Sequence, residues 1–87
     1  MDKELSSEEK NEIKHLRKEV ENDYKILKKV LAPELQIAHL ERIIRTYNKI
    51  YMIKPPSLSD KMAFNMIKIQ YKGLCLMRRI KPQPDCK

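Results

Sequence analysis

Prolines divide this chain into three long segments that lack proline and contain almost no glycine. Proline is tolerated in the first turn of a helix and breaks a helix interior, so its positions predict helix boundaries. One glycine among 87 residues argues against hairpins and against loops that cradle phosphate. The sequence therefore predicts an all-α fold, a compact three-helix bundle. The five prolines are Pro33, Pro55, Pro56, Pro82 and Pro84.

The three segments and the end of the chain set the predicted organisation. The predicted helices span about 7–31, 33–53 and 59–80. They form one helical domain at 1–81, followed by a short, flexible, proline-containing tail at 82–87.

Capping residues and one proline mark the predicted helix starts. Ser6 or Ser7 can cap the first helix and Ser59 the third, and Pro33 occupies the first position of the second. Between the first two helices the chain either turns a sharp corner or continues as one helix kinked at Pro33. The corner is favoured, because proline disfavours helical geometry at Ala32.

The third predicted helix is apolar around most of its circumference, and such a helix must be buried on several sides. Two partner helices in one small bundle can cover only part of it. The helix is therefore expected to lie at the centre of the bundle or to pack against a second chain. We expect an oligomer, either a homodimer or a hetero-complex. The predicted oligomer or partner interface consists of Met62, Met66, Ile69, Gly73, Leu76 and Ile80.

Positive charge is concentrated after residue 24, from the last two turns of the first predicted helix onward. Residues 1–24 carry eight acidic and five basic side chains, whereas residues 25–87 carry four acidic and fourteen basic ones, and the net charge is +7. The basic residues of the second and third helices recur at helical spacing, which favours contact with nucleic-acid phosphates. Lysine is also a common residue on any solvated helix face. The predicted nucleic-acid-binding residues are Arg42, Arg45, Lys49, Lys61, Lys68, Lys72 and Arg79.

The function stays open between two main classes. The leading hypothesis is a small regulatory or architectural protein that binds nucleic-acid backbone. Base reading is not expected, because zinc-finger spacings and clamp loops are missing and the aromatic residues fall on apolar stripes. The alternative is a protein–protein interaction adaptor, or a subunit of a hetero-complex, that docks through the methionine-rich third helix. An acidic protein surface would also suit the charge. A membrane-surface helix is disfavoured, because burial accounts better for the wide apolar arc.

No residue set in the sequence suits catalysis, a metal ion or a cofactor. General acid–base chemistry needs titratable groups held together in a shielded pocket, and most acids fall on the solvated face of the first helix. His39 lies beside the apolar stripe of the second helix and is interpreted as a boundary residue. Cys75 lies within the apolar pattern of the third helix and is interpreted as structural. Two cysteines without metal-ligand spacing, and a charged N-terminus, predict an intracellular protein in a reducing compartment, the cytoplasm or nucleus.

Overall fold

The computed structural model describes residues 4–29 and 32–86, which form three α-helices and one short 3₁₀ helix. The bounds are α1, Ser7–Lys29; α2, Pro33–Ile53; α3, Leu58–Met77; and the 3₁₀ helix, Pro84–Cys86. The predicted all-α fold with three helices is confirmed over these residues. The last two positions of the first predicted helix, Val30 and Leu31, lie outside the described residues. Across the described part of the chain, no helix has the length and hydropathy that crossing a bilayer requires.

Reciprocal hydrogen bonds between side chain and backbone start both α1 and α3. The Glu9 N–H donates to Ser6 Oγ (3.2 Å), and the Ser6 N–H donates to Glu9 Oε1 (3.1 Å). Ser57 and Asp60 make the same two bonds, each 3.2 Å long, and these bonds lower the pKa of Asp60. Each capping box satisfies N–H groups that a helix start leaves without partners. The predicted cap at Ser59 is therefore wrong, because Ser57 is the serine with an acidic residue three positions on.

Helix α3 ends three residues earlier than the sequence predicts, in a Schellman turn. The Ile80 N–H donates to the Cys75 carbonyl oxygen (2.8 Å), and the Arg79 N–H donates to the Leu76 carbonyl oxygen (3.2 Å). Arg79 adopts a φ of 55°, the left-handed conformation that glycine occupies in most such turns. Arginine at this position therefore carries the steric cost of a Cβ atom in the left-handed region.

We expect Arg79→Gly to raise the free energy of unfolding by about 0.5–1 kcal/mol, because relief of the left-handed strain exceeds the freedom added to the unfolded chain. Urea denaturation followed by circular dichroism should show a higher midpoint with an unchanged slope. Arg79→Ala is the matched control, since it removes the same charge and keeps the Cβ atom. Equal midpoints for the glycine and alanine variants would contradict the assignment of strain to Arg79.

Helix α2 lies at the centre of a compact bundle of 43 × 23 × 20 Å, and α1 and α3 pack on two different sides of it. Ile13 and Leu16, early in α1, cluster with Ile50, late in α2. Phe64, early in α3, lies edge-on to Tyr47, late in α2, with 5.6 Å between ring centroids. Both outer helices are therefore antiparallel to α2, and they make little contact with each other.

This arrangement decides two alternatives that the sequence leaves open. Because α1 and α2 are antiparallel, the chain turns the predicted corner and does not continue as one kinked helix. The expectation that the third helix could occupy the centre is wrong. Helix α2 takes that place because its apolar residues cover a wide arc, with Leu40, Ile43 and Ile44 fully buried.

The described part of the C-terminal segment packs against α2 and α3. The Tyr71 hydroxyl donates to Glu41 Oε1 (3.0 Å) and accepts a hydrogen bond from the Gln83 N–H (3.1 Å), which ties the segment to both helices. The Cys86 side chain is fully buried in the same core cluster as Cys75, and no disulfide joins the two cysteines. The prediction of a flexible tail did not include this packing.

Candidate interaction surface on the third helix

Helix α3 carries apolar residues on two opposite sides. One side packs on α2 through Phe64, Ile67, Tyr71 and Cys75, which are buried. The other side points away from α2, and its residues recur at alternating spacings of four and three. We call this second set the α3 stripe. The α3 stripe consists of Met62, Met66, Ile69, Gly73 and Leu76.

The side chains of the α3 stripe are exposed to solvent. The exposed fraction is 62% for Met62, 72% for Met66, 70% for Ile69 and 80% for Leu76. Single exposed hydrophobic residues are ordinary on protein surfaces, whereas a contiguous apolar row is uncommon on a soluble protein and makes this surface a candidate interaction site. At 1.5 Å per residue the row is about 21 Å long.

The α3 stripe contains five of the six residues that the sequence predicts for the interface. Ile80, the sixth, follows the end of α3 in the Schellman turn and is only 39% exposed, so it lies at the margin of this surface. Two further exposed residues, Leu58 and Met77, extend the apolar surface at the two ends of α3.

Gly73, in the middle of the α3 stripe, is not required by packing within the chain. Its φ is not positive, and a Cβ atom built there would meet none of the described atoms within 4 Å. Glycine inside a helix costs about 1 kcal/mol relative to alanine. The missing side chain leaves a gap in the α3 stripe that a large side chain of another helix would fit.

Basic side chains line one flank of the α3 stripe. Lys61 and Lys72 are exposed on α3, and Arg79 is exposed just beyond its end. Lys68 is half-buried, with its Nζ atom 4.4 Å from the centroid of the Phe64 ring, in a cation–π contact. No acidic residue follows the first turn of α3. We call Lys61, Lys68, Lys72 and Arg79 the basic row.

The basic residues of α2 lie on a different side of the bundle. Arg42, Arg45 and Lys49 are exposed, and Arg42 Nε lies 3.8 Å from Asp23 Oδ1 of α1. Residues two positions apart on a helix point about 200° apart, so Arg45 and Lys49 leave α2 nearly opposite to Tyr47. The Tyr47 ring, in contrast, contacts Phe64, which lies under Lys68 of the basic row. The structure therefore does not bring the two predicted basic sets into one face.

Four aromatic rings form a cluster beside the basic row. The rings of Tyr47 and Tyr51 stack with 5.6 Å between centroids, and Phe64 lies edge-on to both. Tyr24 of α1 joins them, and with Arg17 it lines a shallow hollow. Their positions on apolar stripes predict that these rings lie in the core, but the three tyrosines are only half-buried. Helical periodicity identifies the residues of this cluster, but it does not predict how much of each ring α1 and α3 bury.

The tyrosines predict a loss of stability at alkaline pH. Burial, with Tyr47 acting in the same direction, raises the pKa of Tyr24 from 10.0 to about 12, and burial also raises the pKa of Tyr51. A raised folded-state pKa stabilises the fold fully below the unfolded pKa, and this contribution is lost as the pH rises through the folded value. We expect the urea midpoint to fall between pH 10 and about 12. Tyr24→Phe should show a shallower fall, and an unchanged profile would contradict this role.

A buried carboxylate, which the sequence did not predict, links α1 to α2. Asp23 is 3% exposed, and its Oδ1 atom lies 3.4 Å from His39 Nδ1. The half-buried His39 side chain lies between the two helices. The spacing in the sequence is the signal that Asp23 is buried, because it follows Val20 by three residues and precedes Leu27 by four, within the apolar stripe of α1.

The comparisons identify no relative from which a function could be carried over. Comparison of the chain with protein-family models, curated proteins and solved structures found no match. Within residues 4–29 and 32–86, no group of three histidine, cysteine or acidic side chains is placed to hold a metal ion.

Proposed function

We propose that this protein is a protein–protein interaction module that docks a helix on the α3 stripe. The observation that carries the proposal is the exposure of Met62, Met66, Ile69 and Leu76 in one row on the outer side of α3. Removing apolar surface from water is favourable by about 25 cal/mol per Å². Covering this row with the apolar face of another helix would supply the main driving force for binding.

The spacing of the α3 stripe suits a helix as the docked element. Alternating steps of four and three place side chains along the seam of two helices packed side by side, where each side chain fits between four of its neighbour's. Met62 and Met66 are unbranched and flexible, so they can fill irregular gaps against different partners. The opposite face of α3 is already packed on α2, so the stripe is preformed and little ordering is needed on binding.

The test uses a synthetic helical peptide of three heptads. Leucine occupies the two apolar seam positions of each heptad, and glutamine occupies the flanking positions. The peptide is kept below the concentration at which it associates with itself. Titration into the ¹⁵N-labelled chain should shift amide resonances of α3 and leave those of α1 largely unchanged. A double variant, Ile69→Lys with Leu76→Lys, should lose at least tenfold in affinity. It should keep its helicity and thermal midpoint, because both side chains are exposed.

Leu35→Lys is the matched control, since Leu35 is an exposed leucine of α2 outside the stripe. This variant should bind the peptide as the wild type does. The proposal is wrong if the double variant binds the peptide normally. It is also wrong if the wild type neither binds the peptide nor pairs with a second copy through α3.

A second candidate function, binding of nucleic-acid backbone, is favoured by one observation. The basic row has no acidic neighbour along α3 after the first turn and lies beside half-buried tyrosine rings. Phosphate contacts on duplex DNA give a log–log salt slope of about −0.9 per neutralised phosphate. Arg42, Arg45 and Lys49 lie on the other side, so one nucleic-acid ligand would contact only the four basic side chains of the basic row. The expected log–log salt slope is therefore about −3.6.

Fluorescence anisotropy with labelled single- and double-stranded DNA and RNA at graded salt tests this second candidate. It predicts affinity in the micromolar range or tighter at low salt, which Lys68→Glu with Lys72→Glu would abolish. Lys49→Glu, a single charge reversal on the far side of α2, would leave the affinity within about twofold. The absence of binding at 50 mM salt would exclude this function.

A further inference from the structure

The two flanks of the α3 stripe differ in charge. Lys72 borders the stripe on one flank, in the basic row, with Asn65 two turns before it. The other flank is neutral, and Gln70 is its only strongly polar residue besides Ser59 in the first turn. An apolar seam with one positive edge and one neutral edge is asymmetric, so the helix that covers it should carry a matching asymmetry.

Resting on the proposed function, we propose that the occupant of the α3 stripe is an amphipathic helix of another protein with acidic side chains along one edge. Its apolar face covers the stripe and its acidic edge lies along the basic row. Exposed ion pairs contribute modestly to affinity, but charge complementarity sets orientation and speeds association. Opposite charges on the partner therefore select which helix docks, while the stripe supplies the binding energy.

A second copy of this chain is a poorer occupant in either orientation. In a parallel pair of α3 helices each basic flank would meet the neutral flank, so Lys72 would gain no acidic partner. In an antiparallel pair like flanks would meet, and the basic rows would repel each other. Each chain also carries a net charge of +7, which opposes self-association.

The gap at Gly73 points in the same direction. In a parallel pair of copies the two glycines would face each other in one layer, which would leave a void at the middle of the interface. A different helix with a large apolar residue at that level would fill the gap. We therefore expect the occupant to combine an acidic edge with a bulky side chain opposite Gly73.

The experiment compares three monomeric peptides that share one apolar face, including a phenylalanine opposite Gly73, and differ only in flanking residues: glutamate, glutamine or lysine. Isothermal titration into the full chain at 50 mM salt should rank glutamate first, with about a tenfold gain over glutamine and a loss of similar size for lysine. At 0.5 M salt the three affinities should converge, because exposed charges are then screened.

Charge reversal of the chain provides the reciprocal test. Lys61→Glu with Lys72→Glu should reverse the ranking, so that the lysine peptide binds best. Both side chains are exposed, so circular dichroism should show an unchanged fold. Lys49→Glu, a single charge reversal on the far side of α2, is the control and should leave the ranking as it is.

The outcomes separate this inference from the proposed function. Equal binding of the three peptides would overturn the acidic edge and leave helix docking intact, whereas failure of all three in a chain that does not pair with a second copy through α3 would overturn docking itself. Sedimentation equilibrium of the chain alone decides the remaining case. A dimer that Ile69→Lys converts to a monomer would make a second copy the occupant and overturn the inference.

Discussion

Leu40→Ala should lower the free energy of unfolding by about 2–5 kcal/mol, a large share of the stability available to a small domain. Leu40 is fully buried near the middle of α2, in the cluster that joins residues of all three helices. Truncation to alanine loses the transfer free energy of the removed carbons and leaves a cavity that the packed neighbours fill only in part. Urea denaturation at pH 7 measures the loss as a lower midpoint.

Leu76→Ala is the control for this prediction, because it makes the same chemical change on the outer side of α3. The Leu76 side chain is 80% exposed, so its truncation should change the free energy of unfolding by less than about 0.5 kcal/mol. Losses of equal size at the two leucines would mean that the α3 stripe is covered within a single chain, contrary to the structure.

His39→Leu should also destabilise the fold, by about 1–3 kcal/mol. The substitution removes the closest partner of the buried Asp23 carboxylate and leaves it with Arg42, whose Nε atom is 3.8 Å away and whose side chain is 66% exposed. A buried acceptor without its partner carries most of its desolvation cost. The loss should again appear as a lower urea midpoint at neutral pH.

The double variant Asp23→Leu with His39→Leu provides the decisive comparison. Replacing both polar partners with apolar side chains removes the desolvation cost together with the contact, so the double variant should be more stable than His39→Leu alone. A double-mutant cycle measures the coupling. If the two single losses simply add, the pair is not a coupled unit and the interpretation of Asp23 is wrong.

Most helix positions could be predicted from the chain because local chemistry determines them. Pro33 at a first helical position and the stiff Pro55-Pro56 pair bound α2, and its predicted span of 33–53 agrees with Pro33–Ile53 in the structure. The end of α3 could not be predicted in the same way. Its Schellman turn uses Arg79 at a position where glycine is the usual signal.

The central helix could not be identified from apolar content. Helix α3 appeared the more buried helix because apolar residues surround it, but they separate into two sets, Phe64 with Ile67 on one side and Met66 with Ile69 on the other. A count of apolar residues does not distinguish one broad face from two opposed faces. The angular positions of the residues on a helical wheel do distinguish one broad face from two opposed faces, and these positions could have identified the α3 stripe.

Relations between helices account for the rest of what the sequence did not predict. The basic row on α3 follows from spacing alone, whereas its separation from Arg45 and Lys49 depends on the rotation of each helix about its own axis. The pairing of Asp23 with His39 likewise depends on how α1 and α2 align. One amphipathic pattern is compatible with several such rotations and alignments.

The central position of α2 has a consequence for how the fold opens. Helices α1 and α2 share an extensive interface, while α3 is attached along one side only and touches α1 little. Amide hydrogens of α3 should therefore exchange with solvent through a partial opening that leaves the α1–α2 hairpin closed. A helix bound along the outer side of α3 would oppose that opening, so binding of the partner would raise the local stability of α3.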